Sequence, residues 1–218
     1  MRALGVIGIL AGLIVSSGAH AAFVSYSLNQ SNLNPTLPDG VGYARVTIDD
    51  NTANTITFTV TPLGPLTSLA GQNFGIQDFG FNVTGVNPLA DASSSNAQWT
   101  LPSGWSANVA PPPNQLNGFG RFDVGVSTTG PTRLAPLVFQ LIGTGLGISG
   151  FEKLSTGGAT EGNVFFSAHI AGFTTVAGDT GGFFGGSVPS AVPLPAAGML
   201  FPAGLALLGF ARRRGARL

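Results

Sequence analysis

The run Thr55-Ile56-Thr57-Phe58-Thr59-Val60 constrains this chain more than any other stretch. Its side chains alternate without a break: Ile56, Phe58 and Val60 share one face, and the threonines take the other. A period of two belongs to a strand with one buried and one solvated face; a helix would scatter those residues around its axis. Just upstream, residues 41–48 (VGYARVTI) hold Val46 and Ile48 in one phase and Tyr43 in the other. Between the two runs, Asp49-Asp50-Asn51-Thr52-Ala53-Asn54 is rich in side chains that hydrogen-bond their own backbone. Together these pieces predict a β-hairpin.

The same signature recurs along the chain. Residues 23–28 (FVSYSL), 118–126 (GFGRFDVGV), 134–142 and 163–173 (NVFFSAHIAGF) read as strands. Leu137, Phe139 and Leu141 face one way. In the last strand Val164, Phe166, Ala168 and Ile170 line one face, while Phe165, Ser167, His169 and Ala171 line the other. In residues 74–83 (FGIQDFGFNV) the phase slips: Phe74 and Ile76 have one parity, Phe79, Phe81 and Val83 the other. A bulge near Gln77-Asp78 would bring both sets to one face.

Between the strands, residues 29–40, 62–66 and 87–105 read as loops, Pro111-Pro112-Pro113 as a rigid spacer, the glycine-rich 143–162 as a long mobile loop, and 178–190 as a Gly-Pro linker. Nothing in 22–190 has a helical period. The expected fold is all-β, an antiparallel β-sandwich of seven to nine short strands.

Both ends of the chain differ from this middle. Residues 1–21 carry Arg2, an apolar run over 3–15 and a small-residue end. Ala19-His20-Ala21 fits an A-x-A cleavage site, so signal peptidase is expected to leave Ala22 as the first mature residue. Residues 192–218 read VPLPAAGMLFPAGLALLGFARRRGARL. The two prolines stiffen Val192-Pro193-Leu194-Pro195, residues 196–211 are apolar and uncharged, and Arg212, Arg213, Arg214 and Arg217 close the tail. A neutral apolar run ending in arginines predicts a single C-terminal transmembrane helix with a cytoplasmic stop. It is a short one: the apolar run covers roughly 24 Å of a hydrocarbon core about 30 Å thick.

This tail resembles the VPLPA variant of the PEP-CTERM protein-sorting signal of Gram-negative bacteria. Val192, Pro193, Leu194, Pro195 and Ala196, the apolar helix and the Arg212–Arg214 cluster follow in the right order. Leu194 stands where the commoner form carries Glu. The resemblance implies processing near the proline motif by an exosortase, a membrane cysteine transpeptidase. It also implies an inner-membrane intermediate, then the cell surface or the extracellular polysaccharide. The middle of the chain loosely resembles other exported β domains of this kind, some of them cohesin-like or jelly-roll in form. The resulting division is 1–21 signal peptide, 22–177 β-sandwich, 178–191 linker and 192–218 sorting signal.

The exported part, residues 22–190, keeps Arg45, Arg121, Arg133 and Lys153 against nine acids, and four minus nine gives −5. That sign argues against nucleic acid as a partner. The chain has no cysteine, so disulfides, thiol catalysis and cysteine metal sites are excluded. His169 is the only histidine after the leader, and Gly147-Ile148-Ser149-Gly150-Phe151 misses the G-x-S-x-G pattern at its last position. Glu152 and Glu161 are the only glutamates and read as solvated loop charges rather than a glycosidase pair. Asp49, Asp50 and Asn51 read as turn chemistry rather than a Ca²⁺ loop.

Trp99 and Trp105 are candidate glycan contacts, since an exposed aromatic ring can stack on a sugar; the competing reading has them plug the core. Asn29-Gln30-Ser31 and Asn82-Val83-Thr84 match the glycosylation pattern only incidentally. The expectation is a non-enzymatic surface or matrix protein without metal or cofactor, with a structural or adhesive role in exopolysaccharide or biofilm. The alternative is a carbohydrate- or protein-binding module using the tryptophans or a sheet face. A polysaccharide-active enzyme ranks third.

Overall fold

The alternating runs become strands, and they pack face to face. The computed structural model describes residues 23–84, 98–176 and 178–189. Its strands are β1 Phe23–Leu28, β2 Gln30–Ser31, β3 Ala44–Thr52, β4 Thr55–Pro62, β5 Ala70–Phe81, β6 Trp99–Thr100, β7 Ser106–Leu116, β8 Gly120–Ser127, β9 Leu137–Ile142, β10 Phe166–Val176, β11 Asp179–Gly186 and β12 Val188–Pro189. They form two six-stranded antiparallel sheets. The first has the order β12-β1-β3-β4-β9-β6, the second β2-β11-β10-β5-β8-β7. Val46, Ile48, Ile56, Phe58, Val60, Leu137, Phe139 and Leu141 of the first sheet meet Ile76, Phe79, Phe81, Val124, Val126, Phe166, Ala168 and Ile170 of the second in one buried core. The arrangement is sandwich-like.

The predicted hairpin is β3–β4, in register from Ala44↔Pro62 to Thr52↔Thr55. The turn shrinks to Ala53-Asn54, with Asn54 at φ 58°, and the register shifts between Asp49 and Thr52. The bulge in β5 also forms where the parity slip demands it. Pairing with β10 runs His169↔Asp78 and then Ile170↔Ile76, which leaves Gln77 as the extra residue. Arg133 braces that residue, its Nε and Nη2 donating to Gln77 Oε1 at 2.8 and 2.6 Å.

Several loop expectations need correction, beginning with 29–40 and 87–105, which contain the short strands β2 and β6. Residues 178–191 are not a linker from end to end: β11 pairs with β10 from Phe166↔Gly186 to Ala171↔Gly181, and Phe184 is wholly buried. Gly181, Gly182, Gly185 and Gly186 are there for close approach, not for slack. The sandwich therefore runs past 177 to Pro189. Residues 143–162 are tied down too. Ile148–Phe151 forms a 3₁₀ turn whose Phe151 enters the core. The Ser155 hydroxyl donates to Phe119 O at 2.6 Å and accepts from Val164 N at 3.1 Å. Asn82, 1% exposed, donates to the carbonyls of Lys153 and Leu154 and accepts from Asp123 N. Finally, Pro111–Pro113 lies within β7, an edge strand whose register shifts between Val109 and Asn114. Proline is tolerated there because an edge position with a bulge leaves no ladder donor missing. The other described edges, β2, β6 and β12, are two residues long, which offers little template for pairing with another chain.

Both tyrosines of the chain are interior. The Tyr43 hydroxyl donates to Pro38 O at 2.7 Å and closes the loop after β2. The Tyr26 hydroxyl donates to the Glu152 carboxylate and anchors the 3₁₀ turn to β1. Burial pushes both phenols above their ordinary range, helped by Glu152 at Tyr26 and by the charge of Asp39 at Tyr43. The fold therefore favours the neutral phenol. That stabilisation is complete below the ordinary tyrosine pKa of about 10 and disappears as pH rises through the elevated folded values. Tyrosinate absorbance of the native protein is expected to stay flat through about pH 10 and to rise only together with loss of near-UV circular dichroism. Ordinary titration of either tyrosine in the folded protein would contradict this burial.

Among the described residues no helix is long and apolar enough to cross a membrane. Ala19, Ala21, Val192, Pro193, Leu194, Pro195, Ala196, Arg212, Arg213 and Arg214, with the expected signal peptide and C-terminal helix, lie outside the described residues.

Candidate functional site

The outer face of the second sheet is where chemistry-bearing side chains gather. Register places Phe183 on β11, His169 on β10, Asp78 on β5, Ser127 on β8 and Ser106 on β7 in one row across five strands. The neighbouring row on the same face reads Gly185, Ser167, Gly80, Gly125, Asn108. Those glycines make room for the β7–β8 hairpin to lie on the sheet. A Cβ on Gly185 would meet the Phe119 ring at 2.5 Å, one on Gly80 would meet Leu116 Cδ1 at 2.6 Å, and one on Gly125 would meet Asn114 Cγ at 2.6 Å. Leu116, Phe119, Phe122 and Val164 form a second small core there, with Phe183 packed against it. Within this region the Ser167 hydroxyl is fully buried and finds no partner among the described residues.

Where the hairpin ends, a cleft of about 190 Å³ remains, lined by Asp78, Asn114, Gln115, Leu116, Ser127 and Phe183 among others. His169 Nδ1 lies 3.1 Å from Asp78 Oδ2, and its ring stacks on Phe183 with centroids 4.4 Å apart and planes 11° from parallel. His169 is thus a hydrogen-bonded strand residue, as the sequence suggests. The pair does not extend into a Ser-His-Asp relay: Asp78 sits between His169 and Ser127 in the row, so the hydroxyl lies on the far side of the carboxylate. Asn114 is spent on the hairpin, its amide exchanging bonds with Asn108 at 2.8 and 3.0 Å. Gln115 is exposed at the rim.

A larger depression of about 440 Å³ lies beside β12, walled by Leu154 and Val188. Its Asp39 accepts from Ser31 N at 2.9 Å and its Asn163 donates to Ser155 O, so those two groups already serve the fold. The glutamates are held separately. Glu152 accepts from Tyr26, whereas Glu161 sits by the β7–β8 turn, its N–H donating to Gly118 O at 2.8 Å. Among the described residues no group of three or more histidine or acidic side chains is placed to hold a metal ion.

The two tryptophans turn out to be core residues, each 8% exposed. Trp99 packs on Phe81 and Phe139 with centroids 6.5 and 6.3 Å apart, and Trp105 Nε1 donates to Thr132 O at 3.0 Å. Neither offers a bare ring face to a sugar. They close the core at its ends because burying so large a ring outweighs displaying it. Asn82 is likewise excluded as a glycan acceptor in the fold, since its amide nitrogen already donates to two carbonyls.

Reasoning from the sequence missed the cleft because one wall is β11, which reads as linker. The available signal was Phe183-Phe184, an aromatic pair with no reason to sit in a solvated tether. The chain matches no protein-family model, no curated protein and no solved structure.

Proposed function

We propose that this chain is an exported, non-enzymatic surface or matrix protein. Signal peptidase cuts after Ala21, the C-terminal helix holds the protein in the inner membrane with Arg212, Arg213 and Arg214 inside, and an exosortase processes the Val192-Pro193-Leu194-Pro195-Ala196 motif. Its role is structural or adhesive within extracellular polysaccharide at the surface of a Gram-negative cell. The finer form of the fold in this reading is a jelly-roll or cohesin-like sandwich.

The observation that carries the reading is the pairing of the first described strand with the last. β1 begins at Phe23, immediately after the expected mature start, and β12 pairs beside it with Pro189 opposite Tyr26. Phe23 and Tyr26 are separated by only about 10 Å of strand. Since the two strands are antiparallel, the chain enters β1 and leaves β12 at the same end of one sheet edge. A domain so built can keep a signal peptide and a C-terminal helix in one bilayer at once, with the proline motif close outside the last strand. The acidic −5 balance of residues 22–190 suits an exported body and a tail that alone carries the arginine stop.

The test is the intact mass of the protein harvested from an exosortase-bearing host. Parent protein should have lost residues 1–21 and the tail. Pro193→Ala with Pro195→Ala should retain the tail and stay in the inner membrane. A parent that keeps Leu218, or a double variant processed like the parent, would remove the sorting assignment.

A further inference from the structure

We propose that the cleft on the outer face of the second sheet, between the β7–β8 hairpin and β11, binds a neutral sugar unit of the surrounding polysaccharide. This deepens the matrix role just described and rests on it for the identity of the available polymer. The cleft itself is argued from its own groups.

Asp78 is the central group. Its Oδ2 is engaged by His169, and its side chain remains 34% exposed toward the cleft it lines. A carboxylate oriented through one oxygen can accept from a sugar hydroxyl through the other, and a charge-assisted bond of that kind is among the stronger polar contacts. Ser127, next in the row, adds a hydroxyl that can donate or accept, and Gln115 adds an amide at the rim. Half-buried Phe183 supplies apolar surface for the C–H side of a pyranose. An apolar wall with a few convergent polar groups is the usual make-up of a small-molecule site.

Charge sets the ligand class. Among the described residues Asp78 is the one acid lining the cleft and no lysine or arginine lines it, which disfavours an anionic uronate or sulfated unit. The cleft's small volume fits one unit. It lies at the margin of the covered glycine row, where Phe119, Leu116 and Asn114 fill the space over Gly185, Gly80 and Gly125. Adhesion of this kind needs no chemistry at the sugar, so no bond is made or broken.

The test uses the mature protein purified from its host and isothermal titration with cellohexaose, laminarihexaose and mannohexaose, with polygalacturonate as the anionic control. At least one neutral oligosaccharide should bind at about 1 mM or below. Asp78→Asn and Phe183→Leu should each weaken it about tenfold or more, while Trp99→Phe and Glu161→Gln leave it unchanged. Native near-UV circular dichroism of every variant separates lost contact from lost fold. No binding by any neutral probe, binding of polygalacturonate alone, or affinity indifferent to both cleft variants would overturn the site. None of these results depends on tail processing, so failure of the cleft and failure of the sorting assignment are read separately.

Discussion

Gly186→Ala should unfold at a much lower urea concentration than the parent, with a loss of about 3 kcal/mol or more. A Cβ at Gly186 would lie 1.9 Å from the carbonyl oxygen of Ser27, 2.9 Å from its carbonyl carbon and 3.0 Å from Leu28 Cα. All three are backbone atoms, so no rotamer change relieves the clash. Ser27 cannot step aside either, because it pairs with Arg45 on one side and Val188 on the other. The remaining escape is to part β11 from β1 at the corner where the chain crosses between sheets, sacrificing the Asn29 N–H bond to Gly185 O. Against a typical domain stability of about 5–15 kcal/mol, such a loss is large. Gly147→Ala is the control. Apart from its chain neighbours nothing lies within 4 Å of its added carbon, and its backbone is extended at φ −147°. Its midpoint should hold or rise by the equivalent of about 0.5 kcal/mol. Equal midpoints for Gly186→Ala and the parent would mean that β11 does not pack there, and the linker reading of 178–191 would return.

That glycine marks the boundary of what the sequence made legible. Local alternation found β3, β4, β9 and β10, because a half-buried strand writes its burial into every second residue. Even the β5 bulge was visible, since Phe74 and Ile76 could share a face with Phe79 and Phe81 only through an extra residue. Glycine carries no such record. Composition cannot separate a glycine that gives a tether its slack from one that lets two backbones touch, and residues 178–190 contain the second kind. The 143–162 segment was misread for a related reason. It is fixed by single polar side chains acting across the sequence, Asn82 on Lys153 and Leu154 and Ser155 on Phe119, and no local pattern reports them. The site suffers from both limits: the sequence puts His169 and Asp78 on strands, but only tertiary pairing sets them side by side, and Phe183 comes from a strand that reads as linker. The tryptophans failed differently, since a large aromatic ring suits a core plug and a sugar platform equally well until burial is known.

Phe58→Ala should cost about 4 kcal/mol, within the range for emptying a large buried aromatic site. Phe58 is 0% exposed and stands at the junction of both sheets. Its ring stacks on Phe139 of β9 at 4.9 Å and 7°, lies 4.8 Å from Phe81 of β5, and meets Phe151 of the 3₁₀ turn edge-on at 5.1 Å and 88°. One side chain thus joins neighbouring strands of the first sheet, the facing strand of the second, and the segment that Tyr26 and Asn82 also anchor. With no cysteine in the chain, no covalent cross-link can hold that junction when the ring is gone. The shape of the loss distinguishes this account from simple hydrophobicity. Phe58→Leu restores most of the volume and should cost only about 1–2 kcal/mol. Phe58→Leu combined with Phe151→Leu should be less damaging than the sum of the singles by about 0.5–1.5 kcal/mol, because the edge-on contact is lost once and counted twice. Guanidinium or urea midpoints of the four proteins provide the cycle. Strict additivity would show that Phe151 does not reach the core, and the turn carrying Glu152 would then lack its main attachment to the sandwich.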